Sequence, residues 1–143
     1  MVIMDTSLIF QSHYTKSEPI LSYMTSMLDF QPHDSIFEPC GGDGVFVDKI
    51  LETNPDANIC IYELNPTAVE ALRNKYKHSD NIRIKETDTL LDDDIILGRC
   101  KFDKIIGNPP YGARNDKEKK KSLIDYTQIC IQKKVILFFY ILV

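Results

Sequence analysis

The chain has 143 residues, of which 43% are hydrophobic and 27% charged, with no Trp. That is enough apolar side chain for one ordinary core, so a single domain is the bound and disorder is excluded as the default. The net charge of −4 conceals an asymmetry: residues 1–98 carry seven basic and 17 acidic side chains, net −10, while residues 99–143 carry ten basic and four acidic, net +6.

In chain order, Ser17-Glu18-Pro19 opens a helix with Ile20, Leu21, Met24, Met27 and Leu28 on one stripe, expected to end near Asp29-Phe30. A short strand over residues 35–38 runs into the glycine-rich turn Gly41-Gly42-Asp43-Gly44. Val45, Phe46, Val47, Ile50 and Leu51 follow at helical spacing, completing a strand, loop, helix unit. Residues 58–63 predict a second strand, Asn65-Pro66 the cap and first residue of a helix through Tyr76, and residues 81–85 a third strand with Ile82 and Ile84 alternating. Residues 102–107 predict a fourth strand, ending at Asn108-Pro109-Pro110-Tyr111. The apolar run from Val135 predicts a buried fifth strand and is too short for a helix that spans a bilayer, which needs roughly 20 residues. No internal repeat is present. Strands alternating with helices imply parallel crossovers, hence an α/β doubly wound sheet that binds ligands beyond the carboxyl ends of its strands.

Cys40, Cys60, Cys100 and Cys130 lie far apart without a C-x-x-C pair. This argues against a disulfide framework and a zinc site, so they are expected to be reduced, buried and small, with no metal bound. The start of the chain lacks an apolar stretch after basic residues, so no secretory signal is read and a cytoplasmic location is expected.

Three segments carry chemistry. Glycines in the turn after Glu38-Pro39-Cys40 let a ligand approach the backbone, and the following helix N-terminus favours negative charge, here a carboxylate. Glu63, at the end of the second strand, stands where an acidic side chain accepts the hydroxyl hydrogens of a ribose. Phe46 follows the turn where a dinucleotide fingerprint has its third glycine, so the loop suits a nucleoside with a short charged arm better than a pyrophosphate. S-adenosylmethionine fits that description. Asp88, after the third strand, is an acceptor for the adenine amino group, or a turn or cap residue for Leu90 onwards. In Asn108-Pro109-Pro110-Tyr111 successive prolines fix the backbone and withhold donors. The Asn108 side-chain oxygen and the Pro109 carbonyl are thereby left as acceptors for an incoming amino group, and Tyr111 stacks on a flat ring. An amine conjugated to an aromatic ring is a poor nucleophile, and two acceptors holding its hydrogens favour the pyramidal geometry of attack on a methyl group.

In this order the motifs resemble the gamma class of adenine-N6 DNA methyltransferases of bacterial restriction-modification systems, over roughly residues 10–112. The resemblance implies a Rossmann-like class I methyltransferase fold, S-adenosylmethionine as cofactor, and DNA as substrate with the target adenine flipped out of the duplex. By similarity Tyr14 and Thr15, in His13-Tyr14-Thr15-Lys16, touch the methionine part together with Glu38, Cys40, Gly42, Gly44 and Phe46. Lys16 stands where the family has proline. Glu63 and Leu64 match the ribose and adenine positions, Asp88 the adenine-amino partner, and Asn108, Pro109, Pro110 and Tyr111 the catalytic tetrapeptide. Arg114, Lys117, Lys119, Lys120 and Lys121 are expected at phosphates near the flipped base, contributing sequence-independent affinity, or else form a solvated loop. A restriction endonuclease is the implied partner.

Family members continue through further strands and a target-recognition domain, so the chain reads as a partial catalytic domain. Its tail, helical over residues 124–132 and then apolar to Val143, reads as the product of a frameshift. Two other classes share the residues: a methyltransferase acting on a protein glutamine or an RNA base, and a non-catalytic remnant.

Overall fold

The computed structural model describes residues 16–108 and the backbone of residues 135–137. Helix α1 (Glu18–Ser26) has Ser17 at its N-cap, a proline in its first turn and Glu18 there to complement the positive helix end. It stops short of Asp29, because the Thr25 and Ser26 hydroxyls bond back to the carbonyls of Leu21 (2.8 Å) and Tyr23 (2.7 Å). Strand β1 (Ser35–Glu38) leads through the glycine turn to α2 (Val45–Thr53). Strand β2 (Asn58–Glu63) is followed by α3 (Pro66–Lys75), capped by Asn65, whose side chain accepts the Thr67 N–H. Strand β3 (Ile82–Glu86), the four-residue α4 (Asp93–Ile96), β4 (Lys104–Gly107) and β5 (Val135–Leu137) complete the order.

All neighbouring strands are parallel, in the order β3-β2-β1-β4-β5. The central strand is therefore β1, and the chain reverses its direction of winding between β1 and β4, so the crevice beyond their carboxyl ends is where ligands of such sheets bind. The inner strands β1, β2 and β4 bury side chains on both faces, which explains their apolar character, whereas the edge strand β3 leaves Arg83, Lys85 and Glu86 exposed. Ile36, Ile59, Ile61 and Ile106 point to one face and join Leu21, Met24, Val47, Ile50 and Leu72 in the larger core cluster. Phe37, Tyr62 and Ile105 point to the other, with Ile95 of α4. There Phe37 stacks on Phe102 (4.6 Å between centroids) and meets Tyr62 edge-on (4.9 Å). At the opposite edge Asp103 accepts both the backbone N–H and the hydroxyl of Ser35, each at 2.8 Å, which fixes β4 alongside β1.

The predicted strands are therefore present, with β3 starting one residue later and β4 two residues later than expected. The fifth strand is there at residues 135–137. Helix α4 was not predicted. Cys40, Cys60 and Cys100 are free and only half-buried, whereas burial was expected; Cys60 and Cys100 pack against the smaller core cluster without being enclosed by it, and Cys130 lies outside the described residues. Among the described residues no helix is long and apolar enough to cross a membrane.

Candidate functional site

The glycine turn is built by close approach. The Gly41 N–H donates to the Tyr62 carbonyl (2.9 Å) and the Gly44 N–H to the Gly41 carbonyl (2.8 Å). A Cβ on Gly41 would sit 2.3 Å from Ile61 Cγ2, and one on Gly44 2.6 Å from the Tyr76 hydroxyl. Gly44, at φ 79°, also caps α2 in the left-handed region that glycine occupies without strain. From the end of α3, the Tyr76 hydroxyl reaches the Gly44 carbonyl (3.0 Å) and Asp48 Oδ1 (2.8 Å). The neighbouring Lys75 ammonium donates to the Asp43 carbonyl (2.9 Å) and to Asp48 (2.5 Å). Burial, together with the bond to Asp48, pushes the Tyr76 phenol far up, so it remains a donor.

Glu63 ends β2 directly across from this turn. Its Oε2 accepts the Gly42 N–H and its Oε1 the Asn65 N–H, both at 2.7 Å. Each carboxylate oxygen has a second lone pair, so the group retains acceptor capacity for a pair of hydroxyls. Leu64 beside it is 46% exposed, an apolar surface at the rim of the crevice. After β3, Asp88 Oδ1 accepts the Leu90 N–H (3.1 Å), the turn geometry that was the simpler of its two expected roles. The loop is tied down on both sides: the Thr87 N–H donates to the Glu63 carbonyl (3.0 Å), and the buried Thr89 hydroxyl donates to the Pro39 carbonyl (2.5 Å).

Glu38 lies beneath the turn, 1% exposed, and its Oε2 has no hydrogen-bond partner among the described residues. Burial, then the nearby charges of Asp43 and Glu63, raise its carboxyl well above the usual carboxylate range. The same burial, with Glu63 and Glu38 nearby, pushes the Cys40 thiol up, so it is not a thiolate nucleophile. On the adjacent strand a Cβ at Gly107 would stand 2.9 Å from Pro39 Cδ. The backbone leading into Asn108 is thus seated on Pro39.

Of the residues singled out from sequence, Glu38, Cys40, Gly42, Gly44, Glu63, Leu64, Asp88 and Asn108 all lie at the carboxyl edge of the sheet. Phe46, assigned to the cofactor by resemblance, is 2% exposed and part of the larger core cluster, because the first turn of α2 rotates it inward. Tyr14, Thr15, Pro109, Pro110, Tyr111, Arg114, Lys117, Lys119, Lys120 and Lys121 lie outside the described residues. Sequence reading missed Tyr76, Lys75 and Thr89. Their contacts span 27 to 50 residues, and no local pattern marks them.

The model of the Eco57I restriction-modification methylase family matches residues 21–142. The chain is similar to the type II methyltransferase M.AccI of Acinetobacter calcoaceticus, 32% identical over 89 residues that are 62% of this chain and 16% of that protein. It is also similar to ribosomal RNA small subunit methyltransferase A of Dehalococcoides mccartyi, 27% identical over 100 residues, 69% of this chain and 34% of that protein. Among solved structures, a modification subunit of a putative type I restriction enzyme from Vibrio vulnificus superposes with a TM-score of 0.68 at 16% identity, over 91% of this chain and 32% of that one. The chain thus spans about a sixth to a third of the length of these three proteins. The likeness to this structure and to solved methyltransferases shows the fold, the Rossmann-like fold of class I S-adenosylmethionine-dependent methyltransferases.

Proposed function

The chain belongs to the Eco57I restriction-modification methylase family, and on that premise we propose that it is the catalytic portion of a methyltransferase that modifies N6 of adenine in DNA, with S-adenosylmethionine as methyl donor. The carrying observation is the convergence at one sheet edge of three groups with complementary chemistry. These are the buried Glu38 Oε2, unpartnered among the described residues, the Glu63 carboxylate held against Gly42, and Asn108 following Gly107 on β4.

The residues present fit the cofactor. An orphaned buried carboxyl oxygen is an acceptor for the ammonium of the methionine part, and Cys40, Gly42 and Gly44 lie on the tight turn beside it. Glu63 offers acceptors to the ribose hydroxyls, Leu64 an apolar face to the adenine ring, and Asp88 an acceptor to its amino group; Tyr14 and Thr15 complete the methionine end. When bound, S-adenosylmethionine supplies the electrophilic methyl group. Asn108 and the Pro109 carbonyl hold the hydrogens of the target amine, so its lone pair is aimed rather than delocalised, and Tyr111 stacks on the flipped ring. Arg114, Lys117, Lys119, Lys120 and Lys121 neutralise phosphates, and a restriction endonuclease of the same system is the partner.

A second reading, methylation of an RNA adenine, is favoured by the similarity to a ribosomal RNA methyltransferase. Calorimetry with S-adenosylmethionine, followed by methyl transfer from labelled cofactor to duplex DNA, to RNA and to a glutamine-bearing peptide, separates the cases. Binding with label in DNA is the expected result. Label in RNA alone would establish the second reading, and folded protein without cofactor binding would overturn both.

A further inference from the structure

Among the described residues, Glu38 is an acid without a counter-charge of its own. Its side chain hangs from the end of the central strand, 1% exposed, and its Oε2 meets no donor among them. The charged groups facing it are Asp43 on the turn, Glu63 at the end of β2, Asp48 in the first turn of α2 and Lys75 at the end of α3; the Tyr76 phenol and the Cys40 thiol are its other titratable neighbours. Three of the four charges are negative. The one cation among these described groups, Lys75, is committed elsewhere, to the Asp43 carbonyl and to Asp48. An unpaired carboxylate in such a place is far costlier than the neutral acid, which needs only a weak environment for its O–H.

We propose that Glu38 is protonated in the ligand-free protein and gives up that proton when the ammonium of S-adenosylmethionine binds, so that cofactor affinity rises with pH. The inference rests on the cofactor assignment made above. In the exchange the Glu38 O–H bond breaks and its proton passes to solvent, while the incoming ammonium keeps its three hydrogens and donates to the carboxylate left behind. One proton is released for each cofactor bound, and charge balances: the neutral acid and a cation become an ion pair and a free proton. The raised position of the Glu38 carboxyl agrees with this, since it widens the range over which the free protein holds a proton that the complex does not. The upper limit is set by the cofactor's own amine, which as an α-amino group loses its proton at about 7.7–8.0.

The test is calorimetric titration of S-adenosylmethionine into the full chain at pH 6.5, in two buffers of different ionisation enthalpy, for the parent and for Glu38→Gln, an isostere of the neutral acid. Alongside it, the carbon-13 resonance of the Glu38 carboxyl is followed in the ligand-free and bound chain. Expected are release of about one proton, affinity rising about tenfold per pH unit while Glu38 holds its proton, and a carboxyl signal that moves from the protonated to the ionised position on binding. Glu38→Gln should bind more weakly, with no proton released and little pH dependence. A carboxylate signal in the ligand-free chain, or binding with no proton released, overturns the exchange while leaving the cofactor assignment standing. Failure of the parent to bind S-adenosylmethionine at any pH overturns both.

Discussion

A single methyl group at position 41 would stand 2.3 Å from Ile61 Cγ2, well inside contact distance, and both atoms belong to the packed junction of turn and strand. Gly41→Ala is therefore expected to cost about 1–3 kcal/mol of stability, the ordinary range for forced overpacking, and to weaken cofactor binding because the turn must shift. Gly98→Ala is the comparison: nothing lies within 4 Å of that position, but its φ is 63°. It should lose about 1–2 kcal/mol from backbone strain alone and leave cofactor affinity unchanged; thermal unfolding with calorimetry distinguishes the two. Glu63→Ala and Asn108→Ala should separate in the opposite sense. The first strips the Gly42 and Asn65 N–H groups of their acceptor and should raise the cofactor Kd by tenfold or more. The second should lower turnover by roughly 10²–10³ at nearly unchanged Kd, the scale of losing one aligned polar group in a transition state. Equal losses in Kd and turnover for Asn108→Ala would make it a structural residue. Gly41, Glu63 and Asn108 were legible because each has a local reason for its residue type: glycine for close approach, an acid at a strand end, an asparagine before two prolines. Tyr76 and Thr89 were not, because a tyrosine at a helix end or a threonine in a loop is ordinary until the fold brings Gly44 or Pro39 to its hydroxyl.

Elements were readable where sequence punctuation and packing agree. Asn65-Pro66 caps and starts α3 as expected, and the alternation of Ile36 with Phe37 and of Ile59 and Ile61 with Tyr62 follows the two faces of a sheet covered on both sides. Helix α4 was missed because four residues are too few for a 3.6-residue period to show, and what defines it is electrostatic. Asp92, buried at its N-cap, accepts the Asp94 N–H (3.2 Å) and the Thr87 hydroxyl (3.0 Å) and pairs with Lys85 at 2.8 Å. Burial opposes ionisation of Asp92, but the bonds from Lys85 and Thr87 outweigh it and hold the carboxyl below its ordinary range. A folded value below the unfolded one, about 3.9, means stability that is fully present above that pH and lost as pH falls from there through the lower folded value. Asp92→Asn should accordingly cost about 1–2 kcal/mol at neutral pH, from a weakened cap and a lost charge-assisted bond. The difference from the parent should shrink as unfolding is measured at successively lower pH below 4. A difference independent of pH would place the effect in packing rather than in the charge.

At the scale of the whole molecule the sheet order brings together what the chain separates: residues 38–44, Glu63, residues 86–89 and Asn108 meet at one edge because β1 lies between β2 and β4. Alternating strands and helices foretold a doubly wound sheet, but not which strand is central, since that is set by crossover direction and not by local propensity. Even with Glu38 neutral, the edge they form is acidic, with Asp43, Glu63, Glu86 and Asp88 on it, which suits a cationic cofactor and repels a phosphate backbone. On the proposed function, a nucleic acid would be held by the other part of the charge asymmetry, the net +6 of residues 99–143. This division predicts how binding depends on salt. Each phosphate contact contributes about −0.9 to the slope of log K against log salt on duplex DNA and about −0.7 on a single strand. Replacing Lys119, Lys120 and Lys121 together by Gln should therefore flatten the slope by up to about 2.7 on a duplex and about 2.1 on single-stranded RNA, with S-adenosylmethionine affinity unchanged. Fluorescence anisotropy of the parent and the triple variant on both polymers across a salt series measures it. An unaltered slope would remove these lysines from the phosphate contacts, and a change confined to the RNA would carry the substrate assignment with it.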